Sequence, residues 1–132
     1  MDKKAAKLYY KASRRPMGIF LIRNLVNDKV FVGSSMDLPA MFNRIRFQLF
    51  GGAHPNKELE SDWKLFGADK FTFEVLEAIV PRDDVNYDYK ADLETLEDLW
   101  LEKLEPYGEK GYNEKKKTRE ERLRMIAANR KN

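Results

Sequence analysis

The 132-residue chain has no cysteine. Disulfides and thiolate metal sites are therefore excluded, and a reducing compartment suits such a sequence. Histidine is nearly absent too, with His54 standing alone. No apolar run approaches the length needed to cross a bilayer. Residues 1–16 are charged and lack the apolar centre of a signal peptide. These absences together point to a cytoplasmic protein with no membrane partner. No internal repeat is visible.

A length of 132 residues and a hydrophobic content of 42% suit one domain with one real core. The net charge of +3 hides an asymmetry. Residues 1–16 carry six Lys or Arg against one Asp, a balance of +5. Residues 114–132 carry eight against three Glu, again +5. The centre, 17–113, holds eleven basic and eighteen acidic residues, a balance of −7. The chain thus divides into a basic N-terminal arm, an acidic folded centre and a basic, helix-prone tail. Nucleic acid would be met mainly through the arms, by Arg14, Arg15, Lys115, Lys116, Lys117, Arg119 and Arg122. Solubility alone also accounts for basic arms.

Hydrophobic patterning predicts an α/β (α+β) domain with element order β-β-α-α-β-α. A short helix is expected over 3–13, ended by Arg14-Arg15-Pro16. Residues 17–24 are apolar and β-rich, Asn27-Asp28 suits a hairpin turn, and 29–33 form the return strand. Asp37 is a good N-cap, and Pro39 falls in a first helical turn where proline is tolerated. Met41, Ile45 and Leu49 share one face of that helix, with Phe42 beside them. Asn56 caps the next helix, which carries Leu59, Trp63 and Phe66 inward and ends at Gly67. Residues 70–80 read as a strand, 81–89 as an acidic loop, and 91–104 as a third helix with Leu93, Leu96, Trp100 and Leu104 inward. Both tryptophans are expected to be substantially buried. In the tail, only Leu123, Met125 and Ile126 form an apolar patch.

Two strings flank the predicted hairpin, Gly18-Ile19-Phe20 and Phe31-Val32-Gly33. His54, Asn56, Trp63, Gly67, Glu97, Trp100 and Gly111-Tyr112-Asn113 follow in order. From Gly18 to Asn113 this arrangement resembles the GIY-YIG nuclease superfamily. That superfamily takes in an N-terminal domain of excinucleases and the catalytic domains of homing endonucleases. The resemblance implies a small three-stranded antiparallel sheet flanked by helices. It also implies a chemistry. Tyrosine hydroxyls position or activate the attacking water, an arginine stabilises the phosphate, and a glutamate on the third helix holds a divalent metal, Mg or Mn.

By that resemblance Phe20 and Phe31 stand at the two tyrosine positions and Met41 at the arginine position. Phenylalanine has no hydroxyl to donate, accept or deprotonate, and a thioether does not stabilise phosphate charge. Glu97 matches the metal-binding glutamate, His54 a frequent family histidine, and Asn113 the family's final asparagine. Arg44, one turn beyond Met41, is the one nearby replacement for the missing arginine. Arg23 projects from the opposite face of the sheet, and Arg46 points elsewhere. Tyr9, Tyr10 and Tyr112 offer hydroxyls only from outside the signature strands.

Taken alone, the same residues have plainer readings. Phe20, Phe31 and Met41 are ordinary core residues. His54 is either a helix-start capping group or a proton carrier. Glu97 sits on a solvated helix face. Asn113 closes a loop through side-chain to backbone bonds. Ser34 and Ser35 suit either helix entry or a phosphate contact. Two functional readings stand. In one, a nuclease fold with impaired chemistry serves as a DNA-binding or protein-interaction module. In the other, a divalent-metal-dependent endonuclease works through Glu97 with Arg44 and His54 assisting. Either requires Phe20, Phe31 and Met41 to lie close together.

Overall fold

The computed structural model describes residues 15–115 and 119–130. The helix expected over 3–13 lies outside the described residues, as do Arg14, Lys116 and Lys117. Three strands, β1 (Met17–Asn24), β2 (Val30–Ser35) and β3 (Phe71–Ile79), form one antiparallel sheet in the order β2-β1-β3. Among the described residues four α-helices accompany it: α1 (Leu38–Gly51), α2 (Lys57–Phe66), α3 (Lys90–Leu104) and α4 (Arg119–Arg130). The domain is α+β; through α3 the order is the β-β-α-α-β-α expected from patterning, and α4 follows in the helix-prone tail.

Strand β1 is the middle of the sheet and is buried on both faces, which explains its nearly unbroken apolar run. Phe20 and Ile22 face α1 and α2, where they pack with Leu38, Ile45, Leu49, Leu59, Trp63, Phe71 and Tyr112. Ile19 and Leu21 face the other way and pack with Val30, Val32 and Leu101. Period-two alternation thus feeds two cores, one on each side of the sheet. A register shift between Ile19 and Phe20 moves the β3 partner from Glu77 to Val75.

The capping residues act as their chemistry predicts. Asp37 accepts a hydrogen bond from the N–H of Ala40, and Asn56 accepts one from Leu59. Gly52 and Gly67 end α1 and α2 with φ of 70° and 93°. The hairpin between β1 and β2 turns through Asp28, which has φ 61°. Asn24 is fully buried there; its carboxamide accepts from Val26 N and donates to the Tyr112 hydroxyl.

One expectation needs correction. Trp63 is a core residue, but Trp100 is only partly buried. Its indole N–H donates to Glu77 at 2.9 Å, and Lys103 lies over its ring. The inward stripe of α3 is centred on Leu93 and Leu101, and Leu96, Trp100 and Leu104 flank it. The acidic loop over 81–89 forms as expected and is mostly exposed, with one aromatic anchor. Tyr89 is fully buried and its hydroxyl accepts from Arg82 N at 2.7 Å. The apolar patch of α4, Leu123, Met125 and Ile126, is about half exposed.

Unequal burial makes the two tryptophans unequal in stability. Trp63→Ala should cost about 3–5 kcal/mol, the usual cost of emptying a large buried site. Trp100→Ala should cost less than half of that. Urea unfolding of both variants checks this; equal losses would mean that α3 packs on the sheet through Trp100 after all.

Candidate functional site: a cleft with an apolar floor

A cleft of about 840 Å³ opens beside the β1–β2 hairpin. Strands β1 and β2, helix α1, the start of α2, Glu97 of α3 and the segment 108–114 bound it. Phe20, Phe31 and Met41 all line it. Their gathering follows from register. Phe20 lies opposite Gly33 and Ile22 opposite Phe31, so both phenylalanines project from the face that α1 covers. The Phe20 and Phe31 ring centres are 6.4 Å apart, and Phe42 meets Phe20 edge-on at 5.7 Å. Phe20 is 2% exposed, whereas Phe31 and Met41 are half-buried at the cleft surface.

Arg44, His54, Glu97 and Asn113 line the same cleft. Met41, Arg44 and Gln48 fall at helical spacing along α1 and present one wall. Arg46 instead lies over the Phe73 ring, and Arg23 pairs with Glu74 on the other sheet face, as expected. Glu97 accepts a hydrogen bond from the Ser34 hydroxyl at 3.1 Å. Ser35 is occupied at the entry to α1, bonded to the backbone of Asp37. Gln48 and Lys57 also line the cleft and were not singled out from sequence; the spacing of Gln48 from Met41 and Arg44 was the one available signal.

His54 is 5% exposed. Its Nδ1 accepts from Asn56 N at 3.0 Å, and its backbone N–H donates to Glu60 at 2.9 Å. Its ring meets Phe31 edge to face. Burial holds its pKa below the ordinary histidine value, and the Asn56 hydrogen bond and the Glu60 charge oppose this more weakly. The Asn56 amide is an obligate donor. A proton on Nδ1 would set two N–H groups against each other, so the neutral ring carries its proton on Nε2. The capping reading of His54 therefore describes its Nδ1. The Glu60 carboxyl is itself held low: burial works to raise it, but the His54 amide, Lys57 and Lys64 outweigh that.

Asn113 is committed to the backbone of β2. It accepts from Val32 N at 2.9 Å and donates to Val32 O at 2.8 Å. The Tyr112 hydroxyl is committed too. It donates to Asp62 at 2.7 Å, accepts from Asn24, and burial pushes its pKa up, with the Asp62 hydrogen bond adding to this.

Among the described residues no three His, Cys, Asp or Glu side chains gather to hold one ion. A lone carboxylate such as Glu97 nonetheless fits a hard divalent cation. Mg²⁺ keeps several waters and takes one or two carboxylates plus substrate phosphate.

No family model matches the chain. Among solved structures, the catalytic domain of the homing endonuclease I-TevI is similar, with 28% sequence identity and a TM-score of 0.62. The likeness covers 76% of this chain and 99% of that one. This chain has a GIY-YIG-like nuclease fold. A glutamate-to-alanine mutant of the same catalytic domain matches at 28% identity and a TM-score of 0.63, over 78% and 97% of the two chains. Within this GIY-YIG-like fold the floor of the cleft is made by two phenylalanines and a methionine.

Two outcomes are expected here. Asn113→Ala leaves a β2 amide and carbonyl without their partners and should cost about 1–3 kcal/mol in thermal or urea unfolding; an unchanged midpoint would show that water replaces the carboxamide. The second concerns pH. The folded-state pKa of His54 lies below its unfolded value near 6.5, so the unfolded chain binds the proton first. The His54 contribution is complete above pH about 6.5 and is lost as pH falls below it. His54→Asn keeps an acceptor for Asn56 but does not titrate. Its stability curve should be flatter than wild type from pH 7 towards 5, and parallel curves would contradict the assignment.

Proposed function

We propose that this domain binds DNA and has lost most of the nuclease activity that its fold supports elsewhere. The observation carrying this reading is the cleft floor, where Phe20, Phe31 and Met41 lie together. Phosphodiester hydrolysis needs an activated oxygen nucleophile and positive charge on the scissile phosphate. The two phenyl rings bring no hydroxyl to that place, and a thioether brings no charge. Affinity for phosphate comes from the basic arms, including Arg15, Lys115 and Arg122, since the centre of the chain is acidic. The similarity to a homing-endonuclease catalytic domain supports DNA over other polyanions.

A second reading has its own support, because Glu97, Arg44 and His54 line one cleft. In that reading Glu97 holds Mg²⁺ or Mn²⁺, which supplies Lewis-acid stabilisation of the phosphate, and Arg44 neutralises charge from a shifted position. His54 contributes a hydrogen-bond donor from Nε2, not a base.

The deciding experiment is plasmid and branched-DNA cleavage with Mg²⁺ or Mn²⁺. No cutting above background is expected. Metal-dependent cutting that vanishes in Glu97→Ala would establish the second reading. Binding of full-length protein to duplex DNA should weaken with salt, with a log–log slope of about −0.9 per phosphate contact. Phosphate contacts position a protein without reading bases, so sequence preference should be slight. Replacing Lys115, Lys116, Lys117 and Arg122 with glutamine should make the slope shallower; an unchanged slope would remove the tail from the binding surface.

A further inference from the structure

We infer that the cleft receives an unpaired nucleobase of the bound DNA, with the base against Phe31 and Met41 and one of its carbonyl oxygens on the Nε2–H of His54. This rests on the DNA-binding reading and specifies what enters the cleft.

The size and the lining both suit a base. A volume of about 840 Å³ has room for a base together with its sugar and a flanking phosphate. The accessible floor is a phenyl ring and a thioether, both half-buried and open to the cleft. A phosphate placed there would lose hydration without gaining a partner. A flat, weakly polar ring would gain stacking and dispersion. Charge lies on the walls, where Arg44 and Lys57 can meet the flanking phosphates and Glu58, Glu97 and Glu114 disfavour phosphate elsewhere in the cleft.

The buried histidine supplies the independent observation. Nδ1 is satisfied by Asn56 and the ring meets Phe31 edge to face, and among the described residues no hydrogen-bond acceptor meets Nε2–H. A buried donor without a partner is costly, and this one belongs to a side chain lining the cleft. The ligand must therefore bring an acceptor, and it must bring it beside an aromatic surface. A base carbonyl does both. Fully paired duplex shows acceptors on its groove edges but keeps its ring faces stacked, so it does not bring an acceptor beside an aromatic surface. The reading also accounts for the loss of hydroxyl and guanidinium groups: a floor without them leaves no polar group to be stranded beneath an apolar ring.

The test uses full-length protein and four duplexes in fluorescence anisotropy at low salt: fully paired, and with a single bulge that is thymine, difluorotoluene or an abasic sugar. Difluorotoluene has the shape of thymine but lacks its strong acceptors. The thymine bulge should bind about tenfold tighter than the abasic bulge, within the range of base–aromatic stacking. It should bind about fivefold tighter than the difluorotoluene bulge, the value of one hydrogen bond. His54→Asn, which preserves the Asn56 contact, should abolish the second difference. Phe31→Leu, which keeps apolar volume without the ring, should reduce the first. Equal binding of thymine and abasic bulges by wild-type protein overturns the inference and leaves DNA binding standing. Full thymine preference in a His54→Asn protein of unchanged melting temperature overturns the histidine contact. Failure to bind any of the four duplexes overturns both the inference and the DNA-binding reading.

Discussion

The segment 111–113 holds the cleft in shape. Tyr112 N donates to Val30 O at 2.9 Å, and the Asn113 carboxamide closes two bonds on Val32. The outer edge of β2 is thereby paired, and a sheet edge that would otherwise offer free amides and carbonyls is covered. The same few residues reach inward. The Tyr112 hydroxyl joins Asn24 of β1 to Asp62 of α2, and its carbonyl accepts from the Asn56 side chain at 2.6 Å. One short stretch thus connects the edge strand, the central strand and the start of α2. Asn56 in turn fixes the His54 ring through its backbone N–H. Loosening 111–113 would therefore disturb the edge of the sheet and the orientation of the imidazole together.

Most of the architecture was legible from local chemistry. Asp37, Asn56 and Gly67 marked helix ends because their capping roles depend on neighbours two to four residues away. The strands were legible because β1 is apolar from Met17 to Ile22 and β2 follows a turn sequence. What patterning missed depends on distant partners. Trp100 has a helical spacing that places it inward, yet it is only partly buried and its indole N–H meets Glu77, 23 residues away. Tyr89 lies in a stretch of acidic composition, and its burial follows from how the loop folds back on Arg82 N.

That the candidate residues share one cleft was legible from the sequence, and their hydrogen-bonding state was less so. Helical spacing picked Arg44 over Arg46, and strand alternation excluded Arg23; the positions of all three agree. The sequence left His54 as either cap or proton carrier. The choice depends on which ring nitrogen meets the Asn56 amide, and only three-dimensional geometry supplies that. Asn113 was read both as a member of the site and as a loop-closing residue. Its two bonds to Val32 use the carboxamide oxygen and one of its N–H groups.

The glycines of the two signature strings have reasons of their own to be glycine. A methyl group on Gly18 would fall 2.0 Å from the Glu77 carbonyl oxygen, and one on Gly33 would fall 2.5 Å from the tip of the Phe20 ring. Neither constraint involves a hydroxyl, a metal or a phosphate. Strand pairing demands the first glycine, and an aromatic ring of either kind at position 20 demands the second. A sequence pattern keyed on these glycines therefore detects a backbone that can close, and it is blind to whether anything is cut. Selection for folding alone is enough to keep them, whatever chemistry the chain performs.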